Sequence, residues 1–222
     1  MFSVIIRTKN EARWIGHCIQ SVLDFLPKNE IIIVDNNSSD RTLEIANLFK
    51  SNENLEENSK KYTKIKLLNI DAYTPGKALN LGVQNASYDK VLIISAHCVL
   101  TKFDLSSCEA NLDENVAFFG NQIPVYEGQK ITKRYIWKHF KESEEQNMYS
   151  DLEERYFFHN ALAFFNKDIL MKEPFDEDLQ GKEDRYWAGK IVEKHKLNFK
   201  YDPSFECNHH YTDKGNTWKG IG

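Results

Sequence analysis

The chain has 222 residues, of which 41% are hydrophobic and 13% aromatic, and its formal net charge at pH 7 is -4. This size and apolar content are enough for one large α/β domain, and no Pro/Gly/Ser-rich linker divides the sequence. The weakly acidic balance excludes a protein that binds nucleic acid or anionic membranes through overall charge. We therefore predict a single domain over residues 1–222 and no nucleic-acid partner.

No segment has the pattern of a targeting or membrane signal. The apolar run Phe2–Ile6 is too short for a signal peptide, and Arg7 and Lys9 interrupt it. No apolar run reaches the roughly 20 residues of a transmembrane helix. The cysteines are widely spaced and include no CxxC pair: Cys18, Cys98, Cys108 and Cys207. This usage favours free thiols in a reducing cytosol. We predict a cytoplasmic protein whose membrane contact, if it has any, is peripheral and at the inner face.

The first hundred residues alternate between short apolar runs and amphipathic runs. The predicted strands are Phe2–Arg7, Glu30–Val34, Lys64–Leu68 and Lys90–Ile94. The predicted helices are Glu11–Phe25, Ser39–Lys50 and Lys77–Ala86. The run of three isoleucines and a valine at Ile31–Val34 has no polar alternation, which is typical of a strand buried on both faces. This order predicts a doubly wound, mainly parallel sheet flanked by helices, with the carboxyl ends of its strands at one edge.

The second half is less regular. Its predicted helices are Asp104–Asp113, Lys130–Glu145 and Glu183–His195, and its predicted strands are Val116–Phe119, Ala161–Phe165 and Leu197–Tyr201. The polar run Lys50–Lys64 is predicted to be a surface excursion. The tail Glu206–Gly222 shows no periodicity, and its end, Gly215–Gly222, is predicted to be a lid or a frayed terminus.

Polar residues follow the predicted strands where each one ends. Asp35 follows the most apolar strand, and Thr8–Glu11 and Ser95–His97 follow two others. In open α/β sheets, ligands bind in the crevice outside these carboxyl ends. A carboxylate followed by small polar residues suits a ligand rich in hydroxyls and amide-like edges. The alternative for Asp35 is a capped turn with a solvated side chain.

Four segments together resemble the family 2 glycosyltransferases of the GT-A fold: IIRTKNE, VDNNSSDRT, PGKALNLG and GKEDRYWA. They occur in the order and spacing of that family between Phe2 and about Tyr201. The most specific is DNNSSDRT, which is similar to the family's Asp-x-x-Ser-x-Asp-x-Thr element. The resemblance implies transfer of a sugar from a nucleotide-sugar donor to a hydroxyl of a glycan or lipid-linked glycan, with inversion, in surface polysaccharide or other glycan synthesis.

The resemblance also implies a nucleotide pocket built from the first two strand ends: Thr8, Asn10, Glu11, Asp35 and Asn37. Thr8 and Glu11 occupy the positions that contact the base and ribose, and Asp35 the position that accepts from the base N–H. Asn37 and Asp40 line the pocket or hold its loop. Helix capping is the alternative for three of these residues, Thr8, Asn10 and Asp40.

The segment from Pro75 to Asn80 resembles the family's glycine-led helix start with its basic residue and Asn. Gly76 allows close backbone approach, and a helix amino end favours anions. Lys77 adds a positive charge for the diphosphate, and Asn80 belongs to the same element. An exposed lysine in a first helical turn is the alternative for Lys77.

The segment Ser95-Ala96-His97 departs from the family's Asp-x-Asp, whose second Asp binds a metal. Resembling N-acetylgalactosaminyltransferases have Asp-x-His, in which the His is a metal ligand. Two alternatives follow. His97, joined by His209 or His210, holds a divalent metal, Mn²⁺ or Mg²⁺, although imidazole suits heavier metals than Mg²⁺. Otherwise Ser95 and His97 contact the phosphates directly. A zinc site of Cys98, Cys207 and these histidines is a third alternative.

The acidic pair Glu183-Asp184 resembles the pair that supplies the catalytic base in the family. Asp184 precedes Trp187 and Ala188 by three and four residues, so it lies on the face predicted to be buried. An unpaired carboxylate is costly there unless it faces a cleft, which favours Asp184 as the base. Glu183 is the second catalytic candidate, although its position also suits a plain charge in a first helical turn.

Two other functions compete with this interpretation. A sugar nucleotidyltransferase has a similar core but needs a glycine-rich phosphate loop after the first strand, and RTKNEARW contains no glycine. A non-catalytic nucleotide-binding module would explain the altered Asp-x-Asp, but it would not explain the retained Glu183-Asp184 pair. We therefore predict a nucleotide-binding half at residues 1–100 and an acceptor-binding half with a tail at residues 101–222.

Overall fold

A computed structural model of the chain describes residues 1–26, 28–50, 63–127, 129–130 and 135–212. The strands in this part are β1 (Phe2–Thr8), β2 (Asn29–Asp35), β3 (Thr63–Asn69), β4 (Lys90–Ile94), β5 (Cys98–Lys102), β6 (Ala117–Tyr126), β7 (Gln129–Lys130), β8 (Glu145–Gln146), β9 (Tyr149–Ser150), β10 (Arg155–Tyr156), β11 (Leu162–Asn166) and β12 (Phe199–His210). The α-helices are α1 (Ile15–Phe25), α2 (Thr42–Leu48), α3 (Pro75–Gln84), α4 (Leu105–Glu114), α5 (Lys167–Lys172) and α6 (Glu183–Glu193).

One large sheet contains strands from both halves of the sequence, in the order β3-β2-β1-β4-β11-β6-β12-β5. Strands β1 to β4 are parallel to one another, whereas β11 runs antiparallel to β4 and β6. Helices pack on both faces of the sheet. The prediction of a doubly wound, mainly parallel sheet flanked by helices is confirmed, and the irregular second half adds the antiparallel strands.

Strand β2 is buried along its whole length because each face of the sheet has its own core. Ile31 and Ile33 point into the core that α1 covers, and Ile32 and Val34 point into the core that contains Trp187 of α6. Fully burying one such side chain stabilises the fold by about 1.5–3 kcal/mol. The unbroken apolar run therefore holds β2 in the centre of the parallel sheet and fixes where its carboxyl end lies.

The carboxyl ends of the parallel strands form one edge, as predicted. In the sheet register, Asp35 lies between Thr8 of β1 and Asn69 of β3. The edge therefore brings the ends of three strands side by side, which is where ligands bind in open α/β sheets. Within the described residues, no helix is long and apolar enough to cross a membrane.

The predicted helix Lys130–Glu145 is wrong. Tyr135–His139 forms a short 3₁₀ helix, and the chain then leaves the helical path and joins the sheet through β8. The backbone carbonyl of Lys141 accepts a hydrogen bond from the Tyr201 hydroxyl at 2.7 Å, so it is not used by a helix. Residues 131–134 lie outside the described part of the chain.

The predicted end of the last strand at Tyr201 is also wrong, and so is the predicted irregular tail between Glu206 and His210. Strand β12 continues to His210 and pairs with β6 on one side and β5 on the other. A shift in its register between Asp202 and Glu206 surrounds Pro203, which is the residue that breaks the sequence pattern. Strand β5 was not predicted. The proposed lid, Gly215–Gly222, and most of the polar run Lys50–Lys64 lie outside the described residues.

Gly76 at the start of α3 has a packing role that its neighbours explain. A Cβ at this position would lie 2.2 Å from the carbonyl oxygen of Asp176, which is too close for any side chain. Gly76 thus allows α3 to approach the chain segment that precedes α6. Helix α6 carries the acidic pair. We therefore attribute the glycine of this motif to the docking of the two halves.

We expect Gly76→Ala to destabilise the fold by about 1–3 kcal/mol, because backbone must move to relieve the clash. The melting temperature should then fall by roughly 2–10 °C. Gly189 in α6 is the matched control, because nothing lies within 4 Å of a Cβ built there. Gly189→Ala should raise the melting temperature by about 2–4 °C through helix propensity. Equal melting temperatures for the two variants would contradict the packing role.

Glu173, which follows α5, anchors helix α6. Its carbonyl accepts a hydrogen bond from Trp187 Nε1 at 2.8 Å. Its carboxylate contacts Lys194 Nζ at 2.6 Å, His195 Nε2 at 2.8 Å and Lys190 Nζ at 3.3 Å. Burial alone would raise the pKa of Glu173, but these hydrogen bonds outweigh it and lower the pKa to about 2.

This lowered pKa makes the stability that Glu173 supplies dependent on pH. The unfolded carboxyl titrates near pH ~4.3, so the contribution is complete above that pH and is lost as pH falls toward about 2. Linkage sets an upper limit of about 3 kcal/mol, and the exposure of Lys190 and Lys194 reduces it to roughly 1–2 kcal/mol. We expect the melting-temperature difference between wild type and Glu173→Gln to be largest at pH 6 and to shrink as pH falls through about 2. A difference independent of pH would contradict this assignment.

Candidate active site

Hydrogen bonds join the loops after β1 and β2 into one rim. The backbone N–H of Asn10 donates to Ser38 Oγ at 2.8 Å, and the Asn10 side-chain oxygen accepts from the Ser39 N–H at 2.8 Å. The Glu11 N–H donates to Thr42 Oγ1 at 2.7 Å. Asn10 has a φ of 55°, a left-handed conformation that Asn tolerates. Asn10 therefore links the two loops, and the alternative of helix capping does not describe it.

Asp35 is 2% exposed at the end of β2. Its Oδ2 accepts from the Ser38 N–H at 2.8 Å, and its Oδ1 accepts from the Ser38 hydroxyl at 2.6 Å. The carboxylate thus holds the turn after β2. Because each carboxylate oxygen can accept two hydrogen bonds, Asp35 retains acceptor capacity toward a ligand in the crevice.

Thr8 and Asn37 flank Asp35 on the same edge. Thr8 Oγ1 is buried and has no hydrogen-bond partner in the structure, so a ligand donor or acceptor at this edge would satisfy it. Asn37 has a φ of 52° and accepts a hydrogen bond from Asn69 Nδ2 at 3.0 Å. Asn37 therefore connects the second loop to the third strand end.

Asp40 holds the rim together at the start of α2. Its carboxylate accepts from the Thr42 N–H at 2.9 Å, from the Thr42 hydroxyl, and from the Ala12 N–H at 3.1 Å. Burial alone would raise the pKa of Asp40, but these hydrogen bonds lower it below its usual value. Of the three roles considered from sequence, these contacts support the holding of the loop and the capping of α2, which begins at Thr42.

Asn80, for which a nucleotide contact is predicted, makes its hydrogen bonds inside the protein. Its amide is buried and donates to the Phe175 carbonyl and to Glu177 Oε1, both at 2.9 Å, and it accepts from the Phe175 N–H at 3.0 Å. Asn80 thus docks α3 against the segment before α6, as Gly76 does. Lys77 differs, because its half-buried ammonium makes no hydrogen bond or ion pair with any described residue.

His97 and His209 meet at the end of β12. Their Nε2 atoms are 3.1 Å apart, and the other ring nitrogen of each has its own partner. His97 Nδ1 contacts Glu11 Oε1 at 3.0 Å, and His209 Nδ1 contacts Gln122 Oε1 at 2.8 Å. Burial lowers the pKa of His209 well below its usual value, and nearby histidines lower it further, so its ring is neutral. Glu11, for which a ribose contact is predicted, therefore already has His97 as a partner within the protein.

The His97–His209 pair satisfies a chemical requirement of a cation site. When both rings carry their proton on Nδ1, the two Nε2 lone pairs face each other at 3.1 Å, and a proton or a metal ion between them removes the repulsion. Nitrogen ligands bind Zn²⁺ at about 2.0–2.1 Å, a length that allows two such atoms to share one ion. Within the described residues, no group of three or more His, Cys, Asp or Glu side chains is arranged to hold a metal. The pair could therefore supply two ligands, and the remaining ligands would come from substrate or water.

The other candidate metal ligands are placed elsewhere. His210 stacks on Trp14 at a ring distance of 3.9 Å, on the opposite side of β12 from His209. Cys98 and Cys207 are fully buried free thiols, and burial raises the pKa of Cys98 well above its usual value. The zinc alternative lacks a ligand set in the described part of the chain, because no three His, Cys, Asp or Glu side chains are arranged there to hold a metal. Ser95, the first residue of the altered motif, makes no side-chain hydrogen bond with a described residue.

The acidic pair lies at the start of α6, and both carboxyl groups are buried. Asp184 Oδ2 accepts from the Asn160 N–H at 3.2 Å, and its Oδ1 accepts from Arg185 NH1 at 3.1 Å. Glu183 Oε1 accepts from Arg7 NH1 at 2.7 Å and from Asn160 Nδ2 at 3.1 Å. Glu183 lies in the first turn of α6, but it is more than a plain helix charge, because it forms a buried ion pair between α6 and β1.

Four residues of this region were not found from the sequence: Arg7, Gln122, His159 and Asn160. Arg7 and Asn160 hold the acidic pair, and Gln122 Nε2 donates to His159 Nδ1 at 3.0 Å. One signal was available, since Gln122 is a polar residue inside the long apolar run AFFGNQIPVY of β6. A buried amide in such a run needs partners, but the sequence does not show which residues they are.

Comparison with known proteins agrees with this geometry. Residues 3–173 match the sequence profile of Glycosyl transferase family 2. The poly(ribitol-phosphate) beta-N-acetylglucosaminyltransferase TarS of Staphylococcus aureus is 30% identical over 118 residues, covering 51% of this chain and 19% of that protein. A dolichyl N-acetyl-alpha-D-glucosaminyl phosphate 3-beta-D-2,3-diacetamido-2,3-dideoxy-beta-D-glucuronosyltransferase of Methanococcus voltae is 35% identical over 98 residues, covering 43% of this chain and 28% of that protein. The matched regions thus span less than a third of these relatives.

Solved structures with the same fold include three transferases. TarS of S. aureus with UDP-GlcNAc superposes with a TM-score of 0.71 at 20% identity, covering 99% of this chain and 61% of that one. GalNAc-T7 with UDP, GalNAc and Mn²⁺ gives 0.70 at 16% identity, covering 97% and 44%. The mannosyltransferase PcManGT of Pyrobaculum calidifontis with GDP-Man and Mn²⁺ gives 0.64 at 19% identity, covering 96% and 58%. These similarities establish the GT-A fold, and the family profile extends over most of the chain, so this protein belongs to glycosyltransferase family 2.

Proposed function

We propose that this protein transfers a sugar from a nucleotide-sugar donor to a hydroxyl of a glycan or lipid-linked glycan, with inversion at the anomeric carbon. The observation that supports the proposal is that one chain contains a polar edge at the strand ends, the His97–His209 pair and a buried acidic pair. The edge contains Asp35 and the unpartnered Thr8 hydroxyl. The family membership and the fold support the same activity.

In this proposal, the nucleotide lies across the ends of β1 and β2. Asp35 uses its remaining acceptor capacity for an N–H of the base, and the buried Thr8 hydroxyl obtains its missing partner there. Lys77, whose ammonium makes no contact with the described protein, is available for the diphosphate. Asn10 and Asp40 act indirectly by keeping the rim in shape.

The leaving diphosphate accumulates negative charge as the glycosidic bond breaks, and the His97–His209 pair is placed to stabilise it. A divalent cation bound by the two Nε2 atoms would supply that charge stabilisation as a Lewis acid. Manganese fits two imidazole nitrogens better than magnesium does, since Mg²⁺ favours oxygen ligands. Glu11 and Gln122 would hold the two rings in the required orientation.

On the acceptor side, Asp184 takes the proton from the attacking hydroxyl. The Arg185 guanidinium contacts Oδ1 of Asp184, and the single hydrogen bond from Asn160 leaves one lone pair of Oδ2 unused. Glu183 supports the site through its ion pair with Arg7. One carboxylate base and a single displacement suffice for inversion.

We extend the proposal to the organisation and location of the enzyme. Residues 1–100 hold most of the donor site, and residues 101–222 hold the acceptor and contribute His209 to the donor side. We place the activity in the cytoplasm, at the inner face of the membrane when the acceptor is lipid-linked. The four buried free thiols support a reducing compartment.

The test is product formation by the full chain with Mn²⁺ and a set of donors that includes UDP-GlcNAc, GDP-mannose and UDP-GalNAc. The acceptors are poly(ribitol phosphate) and a lipid-linked N-acetylglucosamine, chosen because relatives named for them share this family. We expect mass spectrometry to detect one glycosylated product, and NMR to show the inverted anomeric configuration. Retention of configuration would contradict the mechanism, and nucleotidyl transfer would contradict the reaction class.

A further inference from the structure

A buried chain of hydrogen bonds runs behind the His97–His209 pair. From His209 Nδ1 it passes to Gln122 Oε1 at 2.8 Å, and from Gln122 Nε2 to His159 Nδ1 at 3.0 Å. Gln122 is 1% exposed and His159 is 5% exposed. Neither residue touches the acidic pair directly, and the proposed function requires neither of them. Buried polar chains are costly unless every member is satisfied, so this arrangement needs an explanation.

One backbone group fixes the direction of the whole chain. The Ala161 N–H, which can only donate, points at His159 Nδ1 at 3.4 Å. Gln122 Nε2 also lies 3.0 Å from His159 Nδ1, so two donor groups approach this nitrogen, which identifies it as the unprotonated nitrogen of its ring. The Gln122 carbonyl oxygen then faces His209, so His209 Nδ1 carries the proton. It follows that His209 Nε2 is a lone pair directed at His97 Nε2.

We propose that Gln122 and His159 are positioning residues that hold His209 in its Nδ1–H tautomer and so prepare its Nε2 for a cation shared with His97. Glu11 does the same for His97, because a carboxylate can only accept from His97 Nδ1–H. The inference rests on the proposed function for the purpose of that cation, but the tautomer follows from the hydrogen bonds alone. An amide is suited to this position because it accepts from one ring and donates to the other.

The same chain connects the donor side to the acceptor side. His159 precedes Asn160, whose N–H donates to Asp184 and whose side chain donates to Glu183. The backbone carbonyl of Ala161 accepts from the Ser95 N–H at 3.1 Å, in the loop that carries His97. Three consecutive residues thus contact the histidine chain, the acidic pair and the loop of the altered motif. Displacement of His159 is expected to disturb the cation pair more than the acidic pair.

The first test is the tautomer of His209 in the unmodified full chain, measured by long-range ¹H–¹⁵N correlation of the histidine rings. We expect Nδ1–H for His209 and Nε2–H for His159. An Nε2–H tautomer for His209 would overturn the proposal without any variant. This measurement needs neither substrate nor metal, so it is independent of the reaction.

The second test compares Mn²⁺ affinity, measured by titration calorimetry, between Gln122→Met and Gln122→Glu. Methionine removes both hydrogen bonds and is expected to weaken Mn²⁺ binding by about 10–100-fold and to mix the His209 tautomers. Glutamate still accepts from His209 Nδ1–H in either protonation state, so it should restore most of the affinity. Thermal melts of both variants check the fold, and His159→Phe provides a second route if Gln122→Met does not fold.

The outcomes separate this inference from the proposed function. Unchanged Mn²⁺ affinity in a folded Gln122→Met protein would overturn the positioning role while leaving glycosyl transfer intact. A wild-type protein that binds no Mn²⁺ would overturn the cation part, even with His209 in the expected tautomer. Transfer would then depend on direct contacts between the histidines and the phosphates. A wild-type protein that binds Mn²⁺ but transfers no sugar would instead contradict the proposed function.

Discussion

Asp184→Asn is expected to lower turnover by about 10²–10⁴-fold, the usual contribution of a positioned base, and to leave donor affinity unchanged. The amide cannot take a proton from the acceptor hydroxyl, although its oxygen can still accept from Arg185. The measurement is kcat with saturating donor and acceptor, together with the donor Kd by calorimetry. The reduction should appear in kcat, because the acceptor proton is transferred only in the chemical step.

Glu183→Gln is the matched control for this prediction. It removes the neighbouring charge but keeps an acceptor for Arg7 and Asn160. Glu183 Oε2 makes no hydrogen bond within the described residues, so this carboxylate also has room to accept a proton. We expect Glu183→Gln to reduce kcat much less than Asp184→Asn and to lower the melting temperature. The opposite ranking of the two kcat values would assign the base to Glu183.

His97→Ala is expected to reduce kcat by about 10²–10³-fold, the range observed when one group that stabilises developing charge is removed. In the proposed function, His97 is the residue of the altered Ser95-Ala96-His97 motif that stabilises the leaving group, and Glu11 and His209 hold its ring. His210→Ala is the control, because His210 stacks on Trp14 on the other side of β12. Its kcat should remain close to that of wild type.

Removal of metal ions with a chelator distinguishes a metal-bound His97 from a His97 that contacts the phosphates directly. If His97 and His209 share a metal, EDTA should abolish activity and Mn²⁺ should restore it more fully than Mg²⁺. If His97 contacts the phosphates directly, EDTA should have no effect. Full activity of His97→Ala would refute both versions. The proposed function uses the metal, because a separation of 3.1 Å allows both Nε2 atoms to bind one ion.

The central sheet was predictable because burial on two faces imposes a simple pattern. Ile31–Val34 has no polar residue, and every residue of β2 is indeed buried. The polar residue after each apolar run then marks the strand end, which is how Asp35 and His97 were located. By contrast, β12 is interrupted by Pro203 and the bend at Asp202, and its second part pairs with strands far away in sequence. Local pattern carries no information about such pairing.

The site was only partly predictable, for a related reason. A motif names residue types, but a residue's partners depend on segments distant in sequence. The motif predicted a nucleotide contact for Asn80, but its amide forms hydrogen bonds with the backbone of Phe175, 95 positions later. The position of Glu183 suited a plain charge in a first helical turn, but its carboxylate pairs with Arg7, 176 positions earlier. The approach of His97 to His209, 112 positions apart, was expected only as one of several alternatives.

Calorimetric titration of the full chain with UDP, GDP, CMP and TDP and their sugars, with and without Mn²⁺, tests most directly whether the strand-end edge is a nucleotide-sugar site. We predict that one base is clearly preferred and that Mn²⁺ tightens its diphosphate. We also predict that Asp35→Ala abolishes this binding while the thermal melt still shows a folded protein. Absence of binding by every nucleotide, or unchanged affinity of the preferred one in Asp35→Ala, would contradict the account.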